Sequence, residues 1–424
     1  MSDEPSPGPR TAGLDGLRAV AALSVFVFHL TQVSPQVRDT TQNFVFYARH
    51  LDVGVEIFFV LSGFLLYRPF VAAHLGGSRP PRTRSFWTRR ALRIYPAWLV
   101  FLVVAMATGG LDYLDVFDGF RGPDTPVRFV QWATLTHGWF FEPIHISWTL
   151  TIEVTFYLFL PGWAWAMRRC SASGRVLGEL VGAVLLVAAG LAGEFWCWNG
   201  AEANRFVHVA LRPLMTLGAG MLLAVLVCES TRRPAFAERL RRAFRRPGLW
   251  WGFAALVYVL LARGLAADAP GQLSLLRGAG AEHVWQGYLQ AVVAVAVVAP
   301  AVFGPSKRSY LLRALEFRAV VAVGAVSYGF YLWHSTVLRW WEWVQGRTDP
   351  WRGYPIPVEA LARFGRPLQW WEGWRDGVLA LAVSLAIAGA SYLVIERPAQ
   401  RWGAVLSRRR ESPSPPNSTN RPSR

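Results

Sequence analysis

Runs of about 17–22 apolar residues recur along most of this chain, each long enough to cross the hydrocarbon core of a bilayer as one α-helix. That length is the strongest constraint on the fold. Inside a bilayer no water satisfies backbone N–H and C=O groups, so only helices and closed barrels can span it. The runs here are continuous rather than alternating, which selects helices. Ten fall near residues 14–31, 53–71, 92–108, 147–167, 176–195, 207–228, 249–266, 285–303, 319–338 and 377–396. The expected fold is therefore all-α, a polytopic integral membrane protein of about ten transmembrane helices. A shorter apolar stretch, 127–141, reads as a re-entrant or interfacial helix.

Composition agrees with that class. Hydrophobic residues make up 53% of 424, and 21 are tryptophan, too apolar a mix for two or three soluble domains of that total length. The net charge of +17 would point to nucleic acid in a soluble protein. Here the arginines gather between apolar runs, where they set topology, so no nucleic-acid partner is expected. With the N-terminus in the cytoplasm, the basic stretches Arg68–Arg93, Arg168–Arg175, Arg232–Arg246, Lys307–Arg318 and the tail from Arg397 all fall inside. The opposite loop 109–146 carries Asp112, Asp115, Asp118, Asp124 and Glu142 instead. An even number of spans with both termini cytoplasmic satisfies this asymmetry.

Residues 1–13 read as a cytoplasmic tail and 14–398 as one membrane domain. Residues 399–424 read as a disordered cytoplasmic tail, richest in Ser, Pro and Arg toward its end. The first apolar run opens with Asp15 and Arg18 and has no small-residue cleavage site, so it is expected to be a retained helix. The tryptophans of loop 339–376 fit interfacial anchors, or a lid over an acceptor site. Cys170, Cys197 and Cys228 show no CxxC spacing, and no metal is expected. Walker A, dinucleotide-binding GxGxxG, HExxH and GxSxG motifs are absent.

Polar residues at membrane depth are costly and each needs a reason. Arg18 and His29 share the first span, separated along its axis by about 16 Å. Glu153 lies about 9 Å along its helix from Ser147, roughly the depth of His29, with Tyr157 one turn further on the same face. A carboxylate beside an imidazole can orient it and stabilise its charged form. Arg90 and Arg93 share one face at the cytoplasmic mouth of the third span, where guanidinium forks suit phosphates. His334 falls in the outer half of the ninth. On these grounds alone each is equally a topology charge or a structural hydrogen-bonding group.

The ordered motifs add more. Leu14–Asp15–Gly16–Leu17–Arg18 running to His29 resembles the first-helix motif of the acyltransferase-3 family. Val55 to Phe64, the Arg90–Ala91–Leu92–Arg93 segment followed by Tyr95 and Pro96, and Ser147 to Tyr157 resemble its next blocks. Ser327 to His334, and Ser391–Tyr392 with Ile395–Glu396–Arg397–Pro398, resemble its last two helices. Glu56 stands where an aspartate is frequent. The resemblance implies transfer of an acyl group, acetyl most often, from acyl-CoA to a hydroxyl of a carbohydrate or secondary-metabolite acceptor. It implies His29 and Glu153 as catalytic residues, and Arg18, Arg90 and Arg93 as acyl-CoA-binding residues. Tyr157 and His334 are then acceptor-side or structural polar groups. His29 is either a general base or the carrier of a transient acyl group. No bound cofactor is implied beyond acyl-CoA as co-substrate. The Arg-, Ala- and Gly-rich composition fits a high-GC bacterium, so the expected place is the bacterial plasma membrane. The rival reading is a transporter or flippase, for which ten helices with buried charge also suit.

Overall fold

The computed structural model describes residues 9–34, 37, 43–76, 79–107, 125–139, 146–170, 176–199, 206–265, 281–304, 309–345 and 370–411. All regular structure among them is helical. In chain order the helices are α1 (Pro9–Val33), α2 (Asn43–Ala48), α3 (Val53–His74), α4 (Thr83–Ala107), α5 (Thr125–Ala133) and α6 (Ser147–Cys170). Next come α7 (Val176–Asn199), α8 (Leu214–Arg232), α9 (Pro234–Ala243), α10 (Pro247–Leu265) and α11 (Ala281–Phe303). The last are α12 (Tyr310–Leu315), α13 (Arg318–Ala325), α14 (Ser327–Val344), α15 (Trp370–Ser391) and α16 (Arg397–Glu411). Each of the ten apolar segments falls on this helical framework. The Asp-rich stretch 112–124, most of the tryptophan-rich loop and the tail beyond Glu411 lie outside the described residues.

Among the described residues six helical segments are long and apolar enough to cross a membrane, from Ala12–Val33 to Trp371–Ser407, so the chain is a polytopic membrane protein. Helices α4, α6 and α14 are not among them. Their polar residues, Arg90 and Arg93, Glu153, and His334, lower the average hydropathy of segments that still pack into the bundle. One core joins α1, α3, α4, α6, α8 and α14, with Trp98, Tyr67, Phe330 and Leu17 fully enclosed. Small residues let helices close in where lipid supplies no hydrophobic drive. At Gly220 of α8 a Cβ would stand 2.1 Å from the Val60 carbonyl oxygen of α3.

Two elements differ from the sequence expectation. The span near 319–338 is not one helix: α13 closes at Val326 and α14 starts at Ser327. Gly324 lies so near the Asp15 carbonyl that a Cβ would meet it at 1.9 Å. The break lets α13 lie against α1 while α14 turns to seat its own polar face on that helix. The tail expected to be disordered over 399–424 is helical through Glu411. That helix packs on α4, burying Ser407 and leaving Trp402 73% exposed.

Candidate functional site

A cavity of about 90 Å³ opens among α1, α3, α4, α6 and α14. Its polar lining is Arg18, Ser62, Arg90, Arg93, Thr149, Glu153, Tyr157, Ser327, Tyr328 and Tyr331, and its apolar lining includes Val55, Phe58, Phe59 and Ile94. Three tyrosines or tryptophans tie its walls together. Trp87 of α4 donates to the Tyr157 carbonyl at 2.8 Å. Tyr328 of α14 donates to the Ile94 carbonyl at 2.8 Å. Tyr331 accepts from Thr149 at 2.8 Å and donates to the Ile146 carbonyl at 3.2 Å.

The charges in this cavity are unequal. Arg18 is held by Asp15 at 3.1 Å, one turn earlier on α1. The Arg90 guanidinium lies over the rings of Phe86 (5.7 Å) and Tyr157 (5.9 Å), and its buried Nε makes no hydrogen bond among the described residues. Aromatic faces hold it in place without neutralising it. Glu153 is the lining carboxylate, and it accepts a short hydrogen bond from Tyr157. Three guanidinium groups facing one carboxylate leave an excess of positive charge, which suits a ligand bearing several phosphates.

Nearby, His29 of α1 meets His334 of α14. His334 Nε2 lies 3.0 Å from His29 Nδ1, with both rings buried at 0% and 8% exposure. Helix periodicity brings them together: Tyr328, Tyr331 and His334 recur every three residues on one face of α14. The carbonyls around them settle where the protons sit, because a carbonyl oxygen only accepts. His334 Nδ1 faces the Tyr331 and Phe330 carbonyls at 2.8 and 3.1 Å, so it carries the hydrogen and its Nε2 carries a lone pair when neutral. His29 Nδ1 faces the Val25 carbonyl at 2.9 Å as well as that lone pair, so it is also the protonated nitrogen. Neutral His29 therefore holds its lone pair on Nε2. Tyr331 connects the two features, lining the cavity and standing 5.7 Å ring to ring from His334.

The sequence reading thus meets the structure unevenly. Arg18, Arg90, Arg93, Glu153 and Tyr157 share one cavity. His29 and His334 form a pair of their own beside it. The expected contact of Glu153 with His29 is not the pairing seen: Glu153 accepts from Tyr157 among the arginines, and His334 lies against His29. In the fold Ser147 is only 2% exposed and is hydrogen-bonded to His137 at 2.8 Å. The segment from α5 to the turn His137–Trp139 covers it, with His137 stacked on Trp132 at 3.9 Å. The start of the helix is thus covered by protein. His137 had no sequence signal beyond a short apolar stretch, whereas the spacing of Tyr328, Tyr331 and His334 was visible. Among the described residues no cluster of three or more His, Cys, Asp or Glu could hold a metal ion.

The acyltransferase-domain family matches residues 11–393, which include every residue of the cavity and both histidines. The chain belongs to the acyltransferase-3 family. Among its relatives in this family, the peptidoglycan O-acetyltransferase of Listeria monocytogenes is 23% identical over 92% of the chain and 56% of the relative. Nodulation protein 10 of Rhizobium leguminosarum bv. viciae is 26% identical, with 97% of the chain and 99% of the relative covered. The chain thus spans about half the length of the first relative and nearly all of the second. No solved structure matches it.

Proposed function

We propose that this acyltransferase-3 protein moves an acyl group, acetyl in the simplest case, from acyl-CoA to a hydroxyl of a glycan or natural-product acceptor. The observation that carries the reading is the arginine-lined cavity standing beside a buried histidine whose lone pair is set by its neighbours. Ten spans put both termini in the cytoplasm of a bacterium, with the mouth of α4 on the side where acyl-CoA is made. Its phosphates dock at Arg90, Arg93 and Arg18, and its extended arm runs outward past Tyr328 and Tyr331. Glu153 keeps Tyr157 and the surrounding guanidinium groups in register.

The acceptor hydroxyl gives its proton to His29 Nε2 as its oxygen attacks the thioester carbonyl. The C–S bond then breaks, and the CoA sulfur leaves with its electron pair and takes that proton. While His29 is charged, its Nδ1–H donates to His334 Nε2, which lowers the energy of the imidazolium. A transient acyl group on His29 Nε2 is the variant route, and the same relay serves it.

The test is transfer of labelled acetyl from acetyl-CoA by the purified protein in detergent, with products identified by mass spectrometry. The wild type yields acylated acceptor or free CoA, and His29→Ala yields neither while still binding acetyl-CoA. A transporter would release no CoA at all. Near-normal turnover by His29→Ala would sink the assignment.

A further inference from the structure

A second cavity, of about 340 Å³, lies between α7, α8 and α9. Its wall is apolar at Leu180, Leu226 and Phe236, and charged at Glu229, Arg233 and Arg239. No residue of the acyl-CoA cavity lines it.

The local sequence builds this place. Pro234 cannot continue α8 and pushes the preceding residue into extended backbone, and Arg233 has φ −123° and ψ 97°. Pro234 then serves as the first residue of α9, where its missing N–H is harmless. The result is a ten-residue helix that leaves one membrane helix, leads to the next and buries no side chain in the protein. Its residues sort by face. Phe236 and Leu240, four apart, lie together on the less exposed side. Arg241 and Arg242 turn to Glu238 on the other. A short helix with an apolar face and a basic face at the end of a membrane bundle lies in the interface, its axis along the membrane plane.

The charge balance at the cavity is what gives it a ligand. Glu229 is shared by Arg232 at 3.2 Å and Arg233 at 2.6 Å. Arg239 has no carboxylate partner among the described residues, and it lies one turn from Phe236 on the cavity wall. One carboxylate and two arginines in the lining leave a positive excess at the rim of an apolar slot.

We propose that this cavity is a binding site for an anionic phospholipid of the leaflet that α9 lies in. The phosphodiester sits between Arg233 and Arg239, and an acyl chain lies against Leu180, Leu226 and Phe236. The lipid completes the charge that Glu229 only partly offsets, and it fixes α9 against α7 and α8. The apolar wall favours a lipid over a soluble phosphate, which would leave that wall in contact with water.

The full-length protein, purified in mild detergent and delipidated, is titrated with phosphatidylglycerol or phosphatidylcholine of the same acyl chains and read by native mass spectrometry. The wild type should retain phosphatidylglycerol in preference to phosphatidylcholine. The preference should fall about five-fold for each arginine lost in Arg239→Gln and in Arg233→Gln with Arg239→Gln. Arg239→Lys should keep it, since the charge is kept. Arg239 is exposed, so its replacement leaves the packing intact. Equal retention of the two lipids by the wild type, or an undiminished preference in the double variant, overturns the site. Displacement of the bound lipid by millimolar inorganic phosphate overturns the lipid as occupant in favour of a free anion. Acyl transfer is not read in this assay, so its result stands apart from the proposed activity.

Discussion

His74 and His29 both have side chains enclosed among helices of this protein, and their partners differ. His74, the last residue of α3, places Nδ1 2.6 Å from Glu179 of α7, and Tyr67 donates to the other oxygen of that carboxylate at 2.5 Å. The His74 and Glu179 side chains are 3% and 0% exposed. His29 instead meets another histidine, and the chain of hydrogen bonds runs from the Tyr331 carbonyl through His334 to His29 Nδ1. In the first case each oxygen of the carboxylate accepts one hydrogen bond, so Glu179 of α7 holds two side chains of α3. In the second the carbonyls orient both rings, so that neutral His29 has its hydrogen on Nδ1. We assign the first unit to fastening α3 on α7 and the proposed base to the second.

The predictions bear on that contrast. His29→Ala should lower kcat by about 10²–10⁴-fold, the usual worth of a general base, measured with labelled acetyl-CoA. A loss of that size in His74→Ala at unchanged stability would erase the distinction. Arg90→Ala with Arg93→Ala should raise the KM for acetyl-CoA about 10–100-fold, from loss of charge-assisted hydrogen bonds, with kcat held. A change confined to acceptor KM would move those arginines out of the acyl-CoA cavity. His334→Ala should lower kcat about tenfold and leave both KM values, as expected for one lost hydrogen bond to an imidazolium. Unchanged kcat would reduce His334 to packing. Glu179→Gln should leave kcat where it is and lower the melting temperature in detergent, because the buried contacts to Tyr67 and His74 lose their charge-assisted bonds. A turnover defect at wild-type stability would show that this unit is not merely structural.

Much of this architecture was legible in the chain itself. The apolar runs marked where helices form, and the polar residues inside them named the charged groups of the cavity and Tyr157, though not Ser62, Thr149, Ser327, Tyr328 or Tyr331. Arg90 and Arg93 could be put together because three residues make almost one turn. The partner of Glu153 was not legible: it pairs with Tyr157, four residues on along its own helix, while His29 meets His334. The break at Val326 was equally hidden, since nothing in the hydropathy of 319–338 distinguishes one helix from two.

By itself the sequence determined the class of fold and the cast of polar residues. Both follow from local properties: hydropathy over one span, and spacing along one helix. Only the tertiary structure decided who meets whom. His29 and His334 stand 305 positions apart in the chain, and Glu179 reaches His74 across 105. A buried ionisable group takes its chemistry from the partner that satisfies it, and packing between distant helices chooses that partner.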